Sequence, residues 1–220
     1  MKDIKDYREK ELKNYVVGNI LLILLLTGKL QEVIAWGSEN SFDIWGTIIE
    51  SVVLSFIIYI YVFIIDSFIS GETKYKICYL GIGKKPGYTI FSNMRKRLED
   101  DRFTMEDVLH KYKHIYDNMP EKDSGEYENT NWYSLYESCK NDSKMLVSNR
   151  DFLLSRDLNI MTIWLFVLYV IATIGLKLLT FSWDVVIVLV VEFFFTNIAM
   201  RVKGKRMAYN VISIDILKKE

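Results

Sequence analysis

The sequence predicts an all-α integral membrane protein with four transmembrane helices and a helical cytoplasmic domain between the second and third. Three observations carry this. The 28 basic and 28 acidic residues leave four long apolar stretches nearly free of charge in a chain of 220, each close to the roughly 20 residues that cross a bilayer. Runs of that length without turn residues read as helices rather than strands. The basic residues also gather on one side of the apolar stretches, as in oriented membrane proteins.

The expected organisation is a cytoplasmic leader (1–14), a first transmembrane hairpin (15–70), a cytoplasmic helical domain (71–158), a second transmembrane hairpin (159–200) and a cytoplasmic tail (201–220). In the first span, Tyr15 to Trp36, the unbroken run Ile20 to Leu26 is followed by Lys29, Gln31 and Glu32. The leader mixes five basic with four acidic residues and no small-x-small site follows the run, which argues against a cleaved signal peptide. Trp45 to Ser70 is the second span, and its apolar run Ser51 to Ile65 is closed by Glu50 and Asp66. Ile160 to Phe181 and Val185 to Met200 are the third and fourth, each with one internal charge, Lys177 and Glu192. Only Ser182, Trp183 and Asp184 separate them, so a tight antiparallel hairpin is expected.

Five basic residues fall in the leader, none in the 38–44 loop, fifteen in the central segment and six after Met200. Both termini and the central segment are therefore expected in the cytoplasm, with Trp36, Trp45 and Trp183 at the outer interface. Zero net charge argues against a generic nucleic-acid-coating protein and says little about a local anion site. Cys78 and Cys139 lie too far apart, without a CxxC pair, to suggest a disulfide framework or a zinc knuckle.

Ionisable groups in a bilayer need a partner, water or a function. Lys29, Glu32, Glu50, Lys177 and Asp184 fall near the outer leaflet, where a snorkelling rim and a charged vestibule are the two readings. Glu192 is near mid-membrane, with Thr196 one turn on and Asn197 beside it, while Thr162, Tyr169, Thr173 and Lys177 form a stripe on the neighbouring span. Protonation, a contact between subunits and a wet path are all open to it. Structural hydrogen bonding and a pore site through Glu192, Thr196, Asn197 and Thr173 stand side by side. In a symmetric homo-oligomer Glu192 would form a ring able to select cations.

In the central segment, Lys74 to Ile82 alternates like a short strand or extended linker. Gly81, Gly83, Pro86 and Gly87 then break the chain. Lys84 and Lys85 follow neither a Walker A nor a GxGxxG spacing, so a plain turn competes with phosphate binding. Ile90, Phe91, Met94 and Leu98 mark a helix face flanked by Arg95, Lys96 and Arg97. Thr104 and Asp107 resemble a capping box opening a helix to Met119 and Pro120. Glu121 to Thr130 reads as a polar loop. The series Trp132, Leu135, Tyr136, Cys139, Leu146, Leu153 is expected to run unbroken into the third span.

His110 and His114 share a helix face at metal-ligand spacing, yet they sit among lysines opposite the apolar stripe, so a solvated face is expected and no metal. Basic and aromatic residues interleave at Lys74 to Lys76, at Lys111-Tyr112-Lys113 and around Arg95 to Arg97. That composition suits phosphates and bases, and tyrosines at this spacing equally suit a core. The candidate ligand set is Lys84, Lys85, Arg95, Lys96, Arg97 and Tyr112. Arg150-Asp151 and Arg156-Asp157 read as a juxtamembrane salt-bridge belt. No catalytic signature is present, so neither an enzyme nor a cofactor is expected.

The four spans and the central segment, with Gly87-Tyr88-Thr89-Ile90-Phe91, Arg102-Phe103-Thr104 and Arg150-Asp151-Phe152-Leu153-Leu154, give an outline that resembles small multi-pass membrane effectors of bacterial anti-phage systems of the CBASS and Hailong types. That resemblance implies an oligomeric, ion-conducting effector of the bacterial inner membrane, gated by a nucleotide or oligonucleotide, with host growth arrest as its outcome. The expected partners are the lipid bilayer, further copies of the chain and that ligand. The alternative is a non-conducting membrane scaffold or accessory subunit that docks a cytoplasmic partner. A small transporter is less favoured, because neither proline, Pro86 or Pro120, interrupts a span.

Overall fold

In a computed structural model that describes residues 2–29, 41–81 and 84–218, every regular element is helical and no strand occurs among those residues. In chain order they are α1 (Lys2–Leu26), α2 (Ser41–Ser67), α3 (Gly71–Cys78), a 3₁₀ turn (Pro86–Tyr88), α4 (Ile90–Lys96), α5 (Met105–Lys111), α6 (Lys113–Asp117), α7 (Ser124–Cys139), α8 (Ser143–Val170, extended by a π-helical turn over Ile171–Gly175) and α9 (Trp183–Leu217). Among the described residues two helices are long and apolar enough to cross a membrane, Ser143–Gly175 and Trp183–Leu217. A third joins them if Ser55–Ser67 and Gly71–Cys78, which meet at 101°, form one broken span. The second half of the first expected span, with Glu32 and Trp36, lies outside the described residues, as do the side chains of Glu39, Asp43, Trp45 and Glu50.

The chain divides into two compact units, residues 1–78 with 154–198 and residues 79–153 with 199–220. In the first, α1 is one helix from the leader into the apolar run and packs against α2. Its buried face, Leu12, Val16, Ile20 and Ile23, repeats at helical spacing and joins Val62, Met161, Leu165, Tyr169, Val185 and Leu189 in one core. Lys13 covers Phe56 with its ammonium 4.4 Å from the ring centre.

The strand-like alternation of Lys74 to Ile82 does not become a strand: most of it is helix α3. Ser70 explains why. Its carbonyl accepts from the Lys74 amide at 3.0 Å and its Oγ from the Thr73 amide at 3.2 Å, an N-cap arrangement. Lys74 then reaches back across the bend to Asp66 at 2.5 Å, both residues only 8% exposed. A buried ion pair holds best with such short geometry.

The expected tight hairpin between the third and fourth spans is also revised. The α8 helix ends in the π turn, where the Leu176 amide donates to the Ile171 carbonyl at 2.8 Å, and Lys177 takes a left-handed φ of 54°. Lys177 thus terminates the span instead of lying inside it. Residues 176–182 form the connection, pinned by Tyr169, whose hydroxyl donates to the Ser182 carbonyl at 3.1 Å and lies 2.6 Å from the Ser182 amide.

In the second unit the capping box forms as expected: Thr104 Oγ1 accepts from the Asp107 amide at 3.2 Å and the Asp107 carboxylate accepts from the Thr104 amide at 2.8 Å. The helix it opens is interrupted at Tyr112, so two short helices replace the single one expected to Met119. The anticipated polar loop is shorter than Glu121 to Thr130, because α7 begins at Ser124. A break at 140–142 separates α7 from α8, and Asp142 starts the new helix by accepting from the Lys144 amide at 2.8 Å. The expected unbroken run from Trp132 is therefore interrupted there, and only from Ser143 onward is α8 continuous through Val170.

The tail is the continuation of α9, and its residues Met207, Ala208, Val211 and Ile212 are among the most buried in the unit. Two glycines permit close approach. A Cβ on Gly87 would stand 2.8 Å from Trp132, and one on Gly204 would stand 2.8 Å from Phe152 and 3.1 Å from Pro86. Either contact is closer than packed carbon atoms tolerate.

Candidate functional site

The polar residues of the spans gather in two groups within the first unit. The first is centred on Tyr15. Its hydroxyl donates to Glu192 Oε2 at 2.8 Å and lies 2.7 Å from Thr162 Oγ1, and Thr162 donates to its own helix at the Leu158 carbonyl, 2.9 Å away. Glu192 is half-buried, and its other carboxylate oxygen has no hydrogen bond among the described residues. Helices α1, α8 and α9 therefore meet through one phenol.

The second group lies about one turn along α9. Asn159, fully buried, donates to Thr196 Oγ1 and to the Phe193 carbonyl, both at 3.0 Å. Asn197, 8% exposed, donates to the Cys78 carbonyl at 2.6 Å and faces Asn159 Oδ1 at 3.4 Å. Thr196 also returns a hydrogen bond to the Glu192 carbonyl at 2.8 Å. Buried amides find partners in this way because an unpaired one is costly in an apolar medium. Thr173 belongs to neither group: it is buried and donates to Tyr169 O at 2.8 Å on its own helix. Of the four pore candidates, Glu192, Thr196 and Asn197 share one region of α9, and Tyr15 and Asn159 are the partners that sequence reasoning missed. Tyr15 was legible only as the start of a span, and Asn159 only as the residue before one.

The candidate ligand-binding residues fall in the second unit. Lys84 and Lys85 follow the glycine-rich break, with Lys85 5.9 Å from the Tyr88 ring centre and Lys84 near Gly125. Arg95, Lys96 and Arg97 are exposed at the end of α4, and the Arg95 guanidinium lies 6.0 Å over Tyr116. Tyr112 is 1% exposed: its ring packs edge-on to Phe91 at 5.4 Å and its hydroxyl donates to Asp215 Oδ2 at 2.7 Å. Burial and the Asp215 carboxylate together push its pKa far up. Its ring therefore offers no free face for a stacked base.

The most buried acid of this unit, Glu128, lies in the segment read as a loop. It is 1% exposed and accepts from the Phe91 and Ser92 amides at 2.9 and 3.0 Å and from the Ser92 hydroxyl, satisfying the start of α4 from across the fold. The juxtamembrane pairs form within their units: Arg150 with Asp151 at 2.6 Å, Lys203 with Asp151 at 3.0 Å, and Arg156 with Asp157 at 2.7 Å. Burial pushes the Asp151 carboxyl up, but Arg150 and Lys203 outweigh it and hold its pKa below the usual value. His110 and His114 are exposed, and no group of three or more metal-ligating side chains occurs among the described residues. Both cysteines are buried and neither is in a disulfide.

Comparisons of the chain with protein-family models, with curated proteins and with solved structures find no match.

Proposed function

We propose that this protein is an oligomeric membrane effector that passes cations along a path bordered by Glu192, in response to a nucleotide or oligonucleotide held by its cytoplasmic part. The observation that supports this best is the state of Glu192. A carboxylate midway along the apolar run 185–200 is bound on one oxygen by Tyr15 and has no hydrogen bond on the other among the described residues. A side chain bound in this way is positioned but not used up, as an ion path requires. Copies of the chain around a symmetry axis would bring several such carboxylates together. Lys84, Lys85, Arg95, Lys96 and Arg97 are the groups that would meet phosphates, with Tyr112 acting through the core beneath them. Growth arrest of a bacterial host is the outcome the resemblance implies.

Liposome flux tests the path. Glu192→Gln keeps the acceptor for Tyr15 and removes the charge, so cation flux should fall at least tenfold while assembly persists; equal flux in Glu192→Gln and Glu192→Ala compared with the native chain removes Glu192 from the path. Arg95→Glu combined with Lys96→Glu should abolish the response to ligand without changing the oligomer.

The Asn159–Thr196–Asn197 group favours the second reading, a non-conducting scaffold. Its polar atoms are directed to one another and to the Cys78 carbonyl, which is the chemistry of helix attachment rather than of permeation. A monomer in detergent that passes no ions with any ligand would select that reading.

A further inference from the structure

Around Tyr15, three oxygen–oxygen contacts run in series: Glu192 Oε2 to Tyr15 Oη at 2.8 Å, Tyr15 Oη to Thr162 Oγ1 at 2.7 Å, and Thr162 Oγ1 to the Leu158 carbonyl at 2.9 Å. Each has the length of an O–H···O hydrogen bond and therefore needs one proton. Tyrosine and threonine bring one hydroxyl proton apiece, whereas a carboxylate and a carbonyl bring none. With Glu192 ionised, Tyr15 donates to Oε2 and Thr162 to Leu158, which leaves the 2.7 Å contact between the two hydroxyl oxygens without a proton.

A proton on Glu192 closes the series. The carboxylic acid then donates to Tyr15, Tyr15 to Thr162 and Thr162 to Leu158, so that each proton serves one contact. A metal ion does not fill the place instead: its oxygen ligands stand about 2.0 to 2.6 Å from its centre, and the oxygens here are only 2.7 to 2.9 Å from one another. No cationic side chain takes it either, since Glu192 has no ion pair among the described residues and Tyr15 is the titratable side chain that meets it. The groups on the neighbouring helices are turned elsewhere. On α1, Lys13 covers Phe56, and the amide of Asn19 donates to the Tyr15 carbonyl at 3.1 Å. Tyr59 of α2 faces Glu9. On α8, Arg156 pairs with Asp157 and Tyr169 is bonded to Ser182. The 185–200 run of α9 holds no other titratable residue.

We infer that the cation Glu192 takes is a proton, held as a carboxylic acid bonded to Tyr15. When the proton leaves, the Tyr15 bond turns round: the phenol donates to the carboxylate, and the Tyr15 and Thr162 oxygens are left to repel. The site thus has two hydrogen-bonding states that differ by one proton, the property of a proton carrier within an apolar segment. That this proton is the ion which moves rests on the path proposed above; its binding does not.

Infrared spectroscopy of the full-length protein in detergent at neutral pH reads the proton. Subtracting the Glu192→Gln spectrum from the native one should leave the C=O stretch of a protonated carboxyl; the paired bands of a carboxylate in its place overturn the site. Thr162→Val is the second variant and leaves the acid in place. It removes the contact that lacks a proton and frees the Tyr15 proton for Glu192. Proton binding should weaken by about tenfold, the worth of one hydrogen bond to a charged group, seen as the same band fading at lower pH than in the native chain. A band that titrates as in the native chain overturns the series of bonds. In liposomes, a proton gradient read by an enclosed pH-sensitive dye and a potassium gradient are compared. Proton flux that Glu192→Gln abolishes supports the proton as the ion carried, and potassium flux without proton flux overturns it. A protonated carboxyl in a chain that passes neither ion upholds the proton site and overturns the path.

Discussion

Glu128 shows how much a single side chain can hold. It serves as a cap for α4 supplied from α7, taking two backbone amides and a hydroxyl in a site closed to water. Replacing it by Ala strands those donors, and the second unit should lose roughly 3 kcal/mol; chemical denaturation of the full chain in detergent reads this directly, and a loss under 1 kcal/mol would mean that water replaces the carboxylate. Glu192 is the opposite case, hydrogen-bonded on one oxygen alone among the described residues, and under the proposed ion path its conservative variant is expected to change flux rather than folding. Sequence patterning singled out Glu192 because a charge in an apolar run is conspicuous. It passed over Glu128 because an acid among Asp, Ser and Gly looks like any solvated loop residue until the amides it serves are known.

At the scale of elements, α9 matters most, because one helix carries an apolar stretch long enough to cross a membrane and then contributes core to the second unit. Its end is anchored by Asp215, which accepts from the Tyr112 hydroxyl and pairs with Lys111 at 3.5 Å, and by the Ala208 carbonyl, which accepts from Trp132 Nε1 at 3.3 Å. Tyr112→Phe should therefore cost about 2 kcal/mol, as expected for a buried hydrogen bond to a charged group, and should raise hydrogen exchange of the amides at 209–217 before those of α8. Periodicity made α8 and the start of α9 readable. The fate of the residues after Met200 was not readable, since a basic, mixed segment suits a solvated tail as well as a helix whose apolar side is buried by partners far away in sequence. The same limit explains α3: alternation over a few residues fits a strand, and the Ser70 cap and the Asp66–Lys74 pair decide for a helix.

For the whole molecule, buried tyrosines make alkaline stability a sensitive quantity. Burial and the nearby Glu128 carboxylate raise Tyr116 to about 12 from an ordinary 10.0, and Tyr112 and Tyr209 are pushed the same way by burial and by their neighbouring acids. A phenol whose folded pKa exceeds its unfolded one stays neutral in the native protein while the unfolded chain ionises, so the stabilisation is complete below pH 10 and declines as pH rises toward 12. Melting temperature should fall steeply over that window, and phenolate absorbance should rise together with loss of helix; a phenolate signal from all tyrosines before any unfolding would contradict these burials.

Composition and patterning by themselves determined that this chain is helical and apolar enough in places to cross a bilayer, and they located the charge that stands out in its last span. Those properties are local: they depend on runs and periods that neighbouring residues define. Only the tertiary structure decided which polar groups meet, that Tyr15 reaches Glu192, that Asn159 joins Thr196 and Asn197, that Tyr112 is core, and that the apparent tail is core of the second unit. Such contacts bring together residues up to 177 positions apart, and hydrogen-bond partners at that separation leave no period in a sequence because each is chosen by three-dimensional packing alone.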